Sequence, residues 1–285
     1  MAHQNRLANA HVLVFGGTSG VGFAIANMAL SSGAKVTISG SSQPKVDAKV
    51  ELLRSMYPNT PATNVAGFAA DLTDKANLEK NLSAVLDKAT ENGKNKINHI
   101  SFTAGNAITT FKIGELETST ALDAFTVRFL APFALGKLIA NGDYMPKSPS
   151  SSIALTAGSS THRPSPGWTM TAAIGGALEG LTRGLAVELA PIRANLVALG
   201  GVDTELFQSL TTGIPAEYID QMKKGMSLTG EIGRPGDIAE AYGWIMKDRS
   251  ANGAQFLLAL LHIFFDRGFE LSAKEALVFM HMLEY

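Results

Sequence analysis

Four glycines follow a short apolar run near the start of the chain, and two hydroxyl residues lie among them. The run is Val12 to Phe15, and the glycines are Gly16, Gly17, Gly20 and Gly22. Glycine lets the main chain turn tightly and lets a pyrophosphate approach the backbone, while the helix that follows points its N–H groups at the phosphates. The spacing predicts a dinucleotide site made of Gly16, Thr18, Ser19, Gly20, Val21 and Gly22. A glycine-rich turn in another kind of α/β protein is the alternative.

The end of the second apolar run indicates which dinucleotide is bound. An NAD-selective site places a carboxylate about 20 residues after the glycines, against the ribose 2′-OH. Here Ser41 and Ser42 stand in that region, Lys45 follows, and the first acid is Asp47. Hydroxyls and a lysine suit a 2′-phosphate, because charge-assisted hydrogen bonds are strong. NADP(H) is therefore the expected cofactor, unless the two serines only cap the next helix.

Length and composition limit the class of protein. The chain has 285 residues, 46% of them hydrophobic, a formal net charge of -1 and no cysteine. The charge balance gives no reason to expect nucleic acid or a membrane surface as a partner, and without cysteine no disulfide or thiolate metal site can form. The first ten residues have no apolar core of signal-peptide length, and the apolar run at 256–265 is too short to span a bilayer. A cytoplasmic protein without a metal is expected.

Apolar runs and amphipathic stretches alternate along the chain. Strands are predicted at 12–15, 35–39, 64–69, 98–103, 152–156 and 193–199, and helices at 23–33, 44–56, 75–91, 116–139, 171–189 and 238–246. A polar stretch punctuated by glycine and proline runs over 200–237. The end of the chain is either a seventh strand at 255–261 with a helix at 273–283, or one helical hairpin. The alternation predicts a single α/β domain over 1–285, a Rossmann-type doubly wound parallel sheet of about seven strands flanked by helices.

Several of these segments together resemble the short-chain dehydrogenase/reductase family over about residues 8–250. The resemblance rests on the glycine motif, Asp71-Leu72, Ala104-Gly105 and the segment 177–204. It implies that Asp71 and Leu72 lie at the adenine end of the cofactor, and that Ala104 and Gly105 back it. It also implies that Gly200, Val202 and Thr204 hold the nicotinamide. Asp71 could equally be a carboxylate at the start of a helix. Residues 251–285 depart from the family pattern, as an atypical tail that covers the substrate mouth or packs on a partner subunit.

The catalytic residues of that family do not carry over to this sequence. Alignment on 176–179 places Thr171 at the tyrosine position, Gly175 at the lysine position, Gly158 at the serine position and Arg128 at the asparagine position. In the family, the tyrosine protonates the forming alkoxide and the lysine lowers its pKa, whereas a threonine hydroxyl is a much weaker acid. A substrate that is already cationic, such as an iminium, needs only the hydride. Iminium reduction is therefore expected, or a cofactor that serves as a shaped wall for a cyclisation.

The residues expected to form the altered site are Arg128, Ser159, Ser165, Trp168 and Thr171. Arg128 is expected to clamp a carbonyl or amide oxygen of the substrate, and the alternative is a surface arginine paired with Asp123 or Glu115. Trp168 offers a large flat face to an aromatic substrate, and the alternative is a core or dimer-contact residue.

This pattern looks like the fungal reductase/Diels–Alderases of malbrancheamide- and paraherquamide-type indole alkaloid biosynthesis, which also lack the Tyr/Lys pair. The resemblance implies an apolar indole alkaloid precursor as substrate, NADPH-dependent reduction coupled to a stereocontrolled intramolecular 4+2 cycloaddition, and a homodimer or homotetramer. Ser165 stands where those enzymes are expected to have an acid, three residues before Trp168. Two alternatives remain open. One is an ordinary NADPH-dependent carbonyl reductase that uses Ser159, His162 or Thr171 as its acid, and the other is a non-catalytic NADPH-binding scaffold.

Overall fold

The computed structural model describes residues 4–108, 110–227 and 229–258. In this part of the chain, seven strands form a sheet in the order β3-β2-β1-β4-β5-β6-β7, and every neighbouring pair is parallel. The strands are β1 His11–Phe15, β2 Lys35–Gly40, β3 Val65–Ala69, β4 His99–Phe102, β5 Ser152–Gly158, β6 Arg193–Leu199 and β7 Gln255–Leu258. The predicted doubly wound parallel sheet is confirmed. The strand order reverses between β1 and β4, where such sheets bind their ligands.

Helices cover both faces of the sheet. They are α1 Gly20–Ser31, α2 Gln43–Met56, α3 Leu78–Ala89, α4 Thr118–Ala121, α5 Ala131–Asn141, α6 Thr169–Glu188, α7 Glu205–Leu210, α8 Ala216–Gly225 and α9 Pro235–Lys247. Buried residues of α1, α2 and α9 form one apolar core, and buried residues of α3, α5 and α6 form the other. Among the residues that the structure describes, no helix has the length and apolar character needed to cross a membrane.

Alternate side chains of β1 belong to different cores. Val12 and Val14 pack with α1, α2 and α9, whereas Leu13 and Phe15 pack with α3, α5 and α6. Successive side chains of a strand point to opposite faces of the sheet, so a strand covered by helices on both faces is apolar at every position. Both cores therefore fix the carboxyl end of β1, where the glycines begin.

The prediction of one regular helix at 116–139 is wrong. The chain instead forms α4, a 3₁₀ turn at Leu122–Ala124, a π-helical turn at Thr126–Leu130 and then α5. Pro132 supplies the physical reason, since it has no N–H to donate to the carbonyl of Arg128 and its ring crowds that carbonyl. Single π turns are frequent at functional sites, and this one carries Arg128.

The structure also bears on the sequence predictions for residues 200–237 and for the end of the chain. The stretch at 200–237 contains two short helices that were not predicted, α7 of six residues and α8 of ten. Glycine and proline residues around them, such as Gly213 and Pro215, indicated a loop. The seventh strand is confirmed at Gln255–Leu258. The predicted helix at 273–283 lies outside the described residues.

A histidine is buried in the middle of the sheet. His99 in β4 is only 2% exposed, and its Nδ1 lies 2.9 Å from Oγ of Ser152 in β5. Burial, with a smaller contribution from the positive charge of Arg193, lowers the pKa of His99 to about 3. His99 is therefore neutral in the folded protein at pH values where an unfolded histidine, with a pKa of about 6.5, is protonated.

Acidification below about pH 6.5 is expected to destabilise the fold through His99. Between that value and the folded pKa of about 3, the unfolded chain binds more protons than the folded chain, so the free energy of unfolding falls as the pH falls. At about pH 4.5 the contribution of His99 amounts to roughly 3 kcal/mol, since one pKa unit corresponds to about 1.4 kcal/mol. Urea denaturation at neutral and acidic pH measures this loss. His99→Asn, which cannot be protonated, should lose less stability, and equal losses in both proteins would contradict the assignment.

Candidate functional site

The carboxyl ends of β1 and β4 meet in close backbone contact. A Cβ atom on Gly16, whose φ is +81°, would lie 2.6 Å from the amide nitrogen of Ala104. A Cβ on Gly22 would overlap the carbonyl oxygen of Gly16 and lie 2.8 Å from its carbonyl carbon. A Cβ on Gly20 would lie 3.1 Å from Cγ2 of Thr204, in the loop after β6. The structure thus brings the sequence-predicted glycines, Ala104 and Thr204 together at one edge of the sheet.

The amino end of α1 has the features of an anion site. Ser19 occupies the N-cap position in an extended conformation, its side chain makes no capping hydrogen bond, and the first turn contains no acidic residue. The first-turn N–H groups are therefore not satisfied by this side chain, and the positive end of the helix dipole is not neutralised by a carboxylate. Thr18 packs beside Gly40 at the end of β2, where a Cβ on Gly40 would lie 2.6 Å from Cγ2 of Thr18. Val21 is buried beneath the turn. This geometry fits the pyrophosphate of a dinucleotide.

The end of β2 presents hydroxyls and a lysine. Ser41 and Lys45 are exposed. Ser42 stands at the N-cap of α2 but its side chain makes no capping hydrogen bond, so helix capping does not account for it. The carboxylate of Asp47 accepts a hydrogen bond of 2.7 Å from Nε2 of Gln43. This end of the strand therefore fits a ribose 2′-phosphate.

The end of β3 forms a tight turn around Asp71. Its carboxylate accepts hydrogen bonds from the backbone N–H of Thr73 at 2.8 Å and from the Thr73 hydroxyl at 2.6 Å, and these bonds lower the pKa of Asp71. Asp74, rather than Asp71, accepts backbone hydrogen bonds from Ala76 and Asn77 just before α3. Asp71 is thus a turn carboxylate on the surface, while its neighbour Leu72 is buried in the core.

The loop after β6 is held at several points. The N–H of Gly200 donates a hydrogen bond of 2.8 Å to the carbonyl of Leu258, and Val202 forms a parallel bridge with Gly233. Thr204 is the N-cap of α7, and its hydroxyl accepts a hydrogen bond of 3.3 Å from the N–H of Phe207. This loop therefore faces the glycine turn in a fixed conformation.

A cleft of about 250 Å³ lies between the segment after β4 and the start of α6. Arg128 and Thr171, two of the sequence-predicted residues, both line it. The other lining residues were not predicted, and they are Asn106, Ala107, Ile108, Phe111, Leu116, Ala121, Asp123, Ala124, Met170 and Ile174. Asn106, Ala107, Ile108 and Phe111 belong to an irregular segment for which the sequence carried no periodic signal. The others lie in or beside segments predicted as helices, but periodicity does not show which of their side chains face a cleft.

Arg128 packs directly against the end of β4. A Cβ on Gly105 would lie 2.6 Å from the guanidinium carbon of Arg128, and Nη2 of the guanidinium donates a hydrogen bond to the carbonyl of Asn106. Burial lowers the pKa of Arg128, but an arginine side chain stays charged in proteins. The guanidinium is therefore a partly buried cation with donors that the Asn106 carbonyl does not use.

The surface ion pairs proposed as an alternative for Arg128 are not formed. Asp123 pairs with Lys75, and Glu115 lies 3.9 Å from Lys112. Within the described residues, Arg128 forms no salt bridge with any carboxylate.

The positions aligned with the family tyrosine and lysine lie one turn apart on α6. Thr171 faces the cleft, whereas Gly175 is buried against Thr161. A Cβ on Gly175 would overlap Oγ1 of Thr161 and lie 2.8 Å from its Cβ. The same hydroxyl donates a hydrogen bond of 2.7 Å to the carbonyl of Gly158, which aligns with the family serine. Neither position therefore carries an ionisable side chain, and the lysine position has no room for one.

Three other sequence-predicted residues do not line this cleft. Ser159 is buried at the start of the 3₁₀ turn Ser159–Thr161. Trp168 is half-buried at the N-cap of α6, and its backbone N–H donates a hydrogen bond of 3.0 Å to the backbone carbonyl of the exposed Ser165. Among the residues that the structure describes, the cleft is reached from α6 by Met170, Thr171 and Ile174 instead. The same part of the chain contains no group of three acidic or histidine residues placed to hold a metal ion.

The parallel sheet, the glycine turn and the segment that runs from α6 to α7 define the class of this protein. The chain belongs to the short-chain dehydrogenase/reductase family, since the family model of an SDR-like Rossmann domain matches residues 3–258. It is an enzyme of this family's type.

Fungal members of the family are among its most similar relatives. The short-chain dehydrogenase/reductase malC of Malbranchea aurantiaca is 37% identical over 247 residues, which cover 87% of this chain and 92% of that protein. The short-chain dehydrogenase/reductase fsr5 of Gibberella fujikuroi is 34% identical over 251 residues, 88% of this chain and 93% of that protein. The solved structure of the MalC reductase/Diels–Alderase from Malbranchea aurantiaca is 36% identical, has a TM-score of 0.82, and covers 90% of this chain and 98% of that chain.

Gly22→Ala tests the close packing of the glycine turn. We expect this variant to lower the free energy of unfolding by roughly 1–3 kcal/mol, because overpacking against backbone cannot be relieved by a side-chain rotation. Gly180→Ala is the matched control, since it is also helical and a Cβ there meets nothing within 4 Å. The control should raise the free energy of unfolding by about 0.5–1 kcal/mol, because alanine has a higher helix propensity than glycine. Chemical denaturation measures both variants, and an equal gain in both would show that the contact is absent.

Proposed function

We propose that this protein uses NADPH to reduce an iminium-type precursor of an indole alkaloid, and that it directs the intramolecular 4+2 cycloaddition of the product in secondary metabolism. The observation that carries the proposal is the composition of the cleft, in which a partly buried arginine faces a helix that has threonine and glycine at the tyrosine and lysine positions. The similarity to the MalC reductase/Diels–Alderase supports it.

The cofactor assignment rests on the fit of the glycine turn and the end of β2. The residues that would hold NADPH are Gly16, Thr18, Ser19, Gly20, Val21, Gly22, Ser41, Ser42, Asp71, Leu72, Ala104, Gly105, Gly200, Val202 and Thr204. Uncapped N–H groups at the start of α1 suit the pyrophosphate, and Ser41 with Lys45 suits the 2′-phosphate. When bound, NADPH supplies a hydride.

The protein's own groups decide which substrates can accept that hydride. General acid catalysis contributes about 10²- to 10⁴-fold, and an ordinary ketone needs it to protonate the forming alkoxide. Thr171 is a weak acid, and the neighbouring lysine position is glycine. An iminium ends the reaction as a neutral amine and needs no proton, so this set of residues suits a substrate that is already cationic.

Arg128 supplies orientation in this proposal. Its guanidinium packs on Gly105, the residue that backs the cofactor in our assignment, and retains donors beyond the one that binds Asn106. A substrate carbonyl or amide oxygen can accept hydrogen bonds from these donors, and charged donors in a desolvated site make the stronger hydrogen bonds. Arg128 therefore anchors a polar group of the substrate beside the hydride donor.

The rest of the cleft favours an apolar substrate and a defined geometry. Ile108, Phe111, Leu116 and Ile174 line it, so a bound substrate is removed from water. A cycloaddition needs no acid or base when diene and alkene are preformed, and holding the two in reacting geometry lowers its barrier. Trp168, at the start of α6, is the aromatic surface that we assign to the indole ring.

Other assignments extend this proposal. We assign Ser159 and Ser165 to the segment that leads from β5 to α6, next to the cleft but outside its lining, and we treat residues 1–285 as one domain. Phe133 in α5 is 52% exposed and Val187 in α6 is 77% exposed, which suits a homodimer or homotetramer formed through these helices.

The deciding experiment is incubation with a prenylated indole dipeptide aldehyde, which condenses to the iminium, in the presence of NADPH. We expect NADPH oxidation and one dominant cycloadduct enantiomer in chiral product analysis. Arg128→Ala should lower kcat/KM roughly ten- to hundredfold, as expected for the loss of a hydrogen bond from a charged group. Arg183→Ala removes an exposed arginine from α6 and should have no effect.

The rival functions give different outcomes in the same experiment. Reduction of simple ketones with a titration step in the pH profile, and none of the iminium, would indicate a carbonyl reductase that uses Ser159, His162 or Thr171 as its acid. Tight NADPH binding without oxidation by either substrate would indicate a scaffold.

Ser41→Asp tests the assignment of the 2′-phosphate. We expect the variant to raise the Kd for NADPH about tenfold or more relative to NADH, because a carboxylate repels the phosphate and suits a ribose hydroxyl. Ser31→Asp, which adds the same charge at the exposed end of α1, is the control. Fluorescence titration with both cofactors measures the ratio, and an unchanged ratio in Ser41→Asp would refute the assignment.

A further inference from the structure

The segment after β5 is attached to α6 at two neighbouring positions. Thr161, at the end of the 3₁₀ turn Ser159–Thr161, packs on Gly175. The next residue, His162, places its Nε2 2.9 Å from Oε1 of Glu179, one turn further along the same helix. Neither contact is part of the cofactor assignment, and neither was predicted from the sequence.

Thr161 makes two contacts with one side chain. Its hydroxyl donates a hydrogen bond of 2.7 Å to the carbonyl of Gly158, which holds the 3₁₀ turn closed at the end of β5. The same side chain fills the space beside Gly175, where a Cβ would lie 2.8 Å from Thr161 Cβ and 3.0 Å from its Cγ2. Any side chain at 175 would displace Thr161, so the two residues depend on each other.

The segment held by Thr161 leads directly to the residues around the cleft. It begins at Ser159, continues through the loop to Trp168, and returns to the cleft at Met170 and Thr171. The loop has a second attachment, since the N–H of Phe111 donates a hydrogen bond of 3.1 Å to the carbonyl of Gly167. Phe111 itself lines the cleft. A shift of the 3₁₀ turn would therefore alter both the loop and the cleft wall.

We propose that Thr161 is a positioning residue of the site, which occupies the space of the family lysine beside Gly175 and fixes the loop that carries Trp168. The effect of Thr161 on product selectivity rests on the proposed function, whereas its contact with Gly175 and its hold on the loop do not. It also implies that a lysine cannot be restored at 175 while Thr161 is present.

The first test measures the coupling between the two residues without any substrate. Gly175→Ala, Thr161→Ala and the double variant are compared by chemical denaturation. We expect Gly175→Ala to be destabilising in the native background and clearly less so when Thr161 is alanine, because contacting residues give non-additive effects. Additive effects would overturn the proposed contact.

The second test follows the loop through the fluorescence of Trp168. The chain has two tryptophans, so Trp244→Phe leaves Trp168 as the only one. In this background we expect Thr161→Val, which keeps the shape but loses the hydroxyl, to raise acrylamide quenching about twofold or more, because a segment released from its hydrogen bond opens more often to solvent. Thr161→Ser, which keeps the hydroxyl, should restore the native value. Unchanged quenching in Thr161→Val would overturn the positioning role.

A matched control separates positioning from general stability. The Thr182 hydroxyl in α6 donates a hydrogen bond of 2.8 Å to the carbonyl of Leu178, and Thr182 is fully buried. Thr182→Val should lower Tm without changing Trp168 quenching. In the product assay, Thr161→Val should reduce the enantiomeric ratio about tenfold, the factor that corresponds to 1.4 kcal/mol between two transition states, and Thr182→Val should leave it unchanged.

The outcomes distinguish this inference from the proposed function. Coupling and quenching as expected, with no iminium reduction, would refute the function and leave the contact intact. An unchanged enantiomeric ratio in an active Thr161→Val protein would refute the effect on selectivity.

Discussion

Close backbone approach at the carboxyl ends of β1 and β4 is the constraint on which the site depends. The position of Gly16 next to Ala104 leaves no space for a side chain, and Gly22 lies just as tightly on the carbonyl of Gly16. Two apolar cores hold β1 from both faces, so this contact cannot relax by moving the strand. As a result, the start of α1, the end of β4 and the loop carrying Thr204 keep one arrangement, and the cleft beside Arg128 is built on a rigid edge.

Partial burial of the Arg128 guanidinium in the cleft has a free-energy cost. Removing a cation from water is costly unless it is paired or hydrogen-bonded, and this partly buried guanidinium makes a hydrogen bond to the Asn106 carbonyl and has no carboxylate partner within the described residues. The π turn that carries Arg128, caused by Pro132, keeps it in this environment. Within the described residues the Asn106 carbonyl accepts from one of its donors, so a bound substrate oxygen could accept from another, which is the physical basis of the role proposed for this residue.

Sequence patterns predicted those parts of the structure that depend on local periodicity. The unbroken run Val12 to Phe15 indicated a strand buried on both faces, and the glycine spacing after it indicated the turn that the structure shows. Patterns failed where a single residue or a tertiary contact decides the outcome. Pro132 divides an apolar stretch that looked like one helix, and the short helix α8 lies among glycine and proline residues that indicated a loop. The contact between Thr161 and Gly175 could not be predicted, because the two residues are 14 positions apart and only the folded chain brings them together.

The contact between Thr161 and Gly175 also explains how the position that aligns with the family lysine is packed in this chain. Removing a large side chain from a packed site leaves a cavity that destabilises the fold in proportion to its volume. Gly175 leaves no such cavity, because Thr161 occupies the space and its hydroxyl is satisfied by the Gly158 carbonyl. Thr161, Gly175 and Gly158 therefore pack against one another, and the glycine turn is packed just as closely. The position that aligns with the family lysine is thus filled by a neighbouring side chain instead of being left as a cavity, so the helix keeps its contact with the segment after β5 although the lysine is absent.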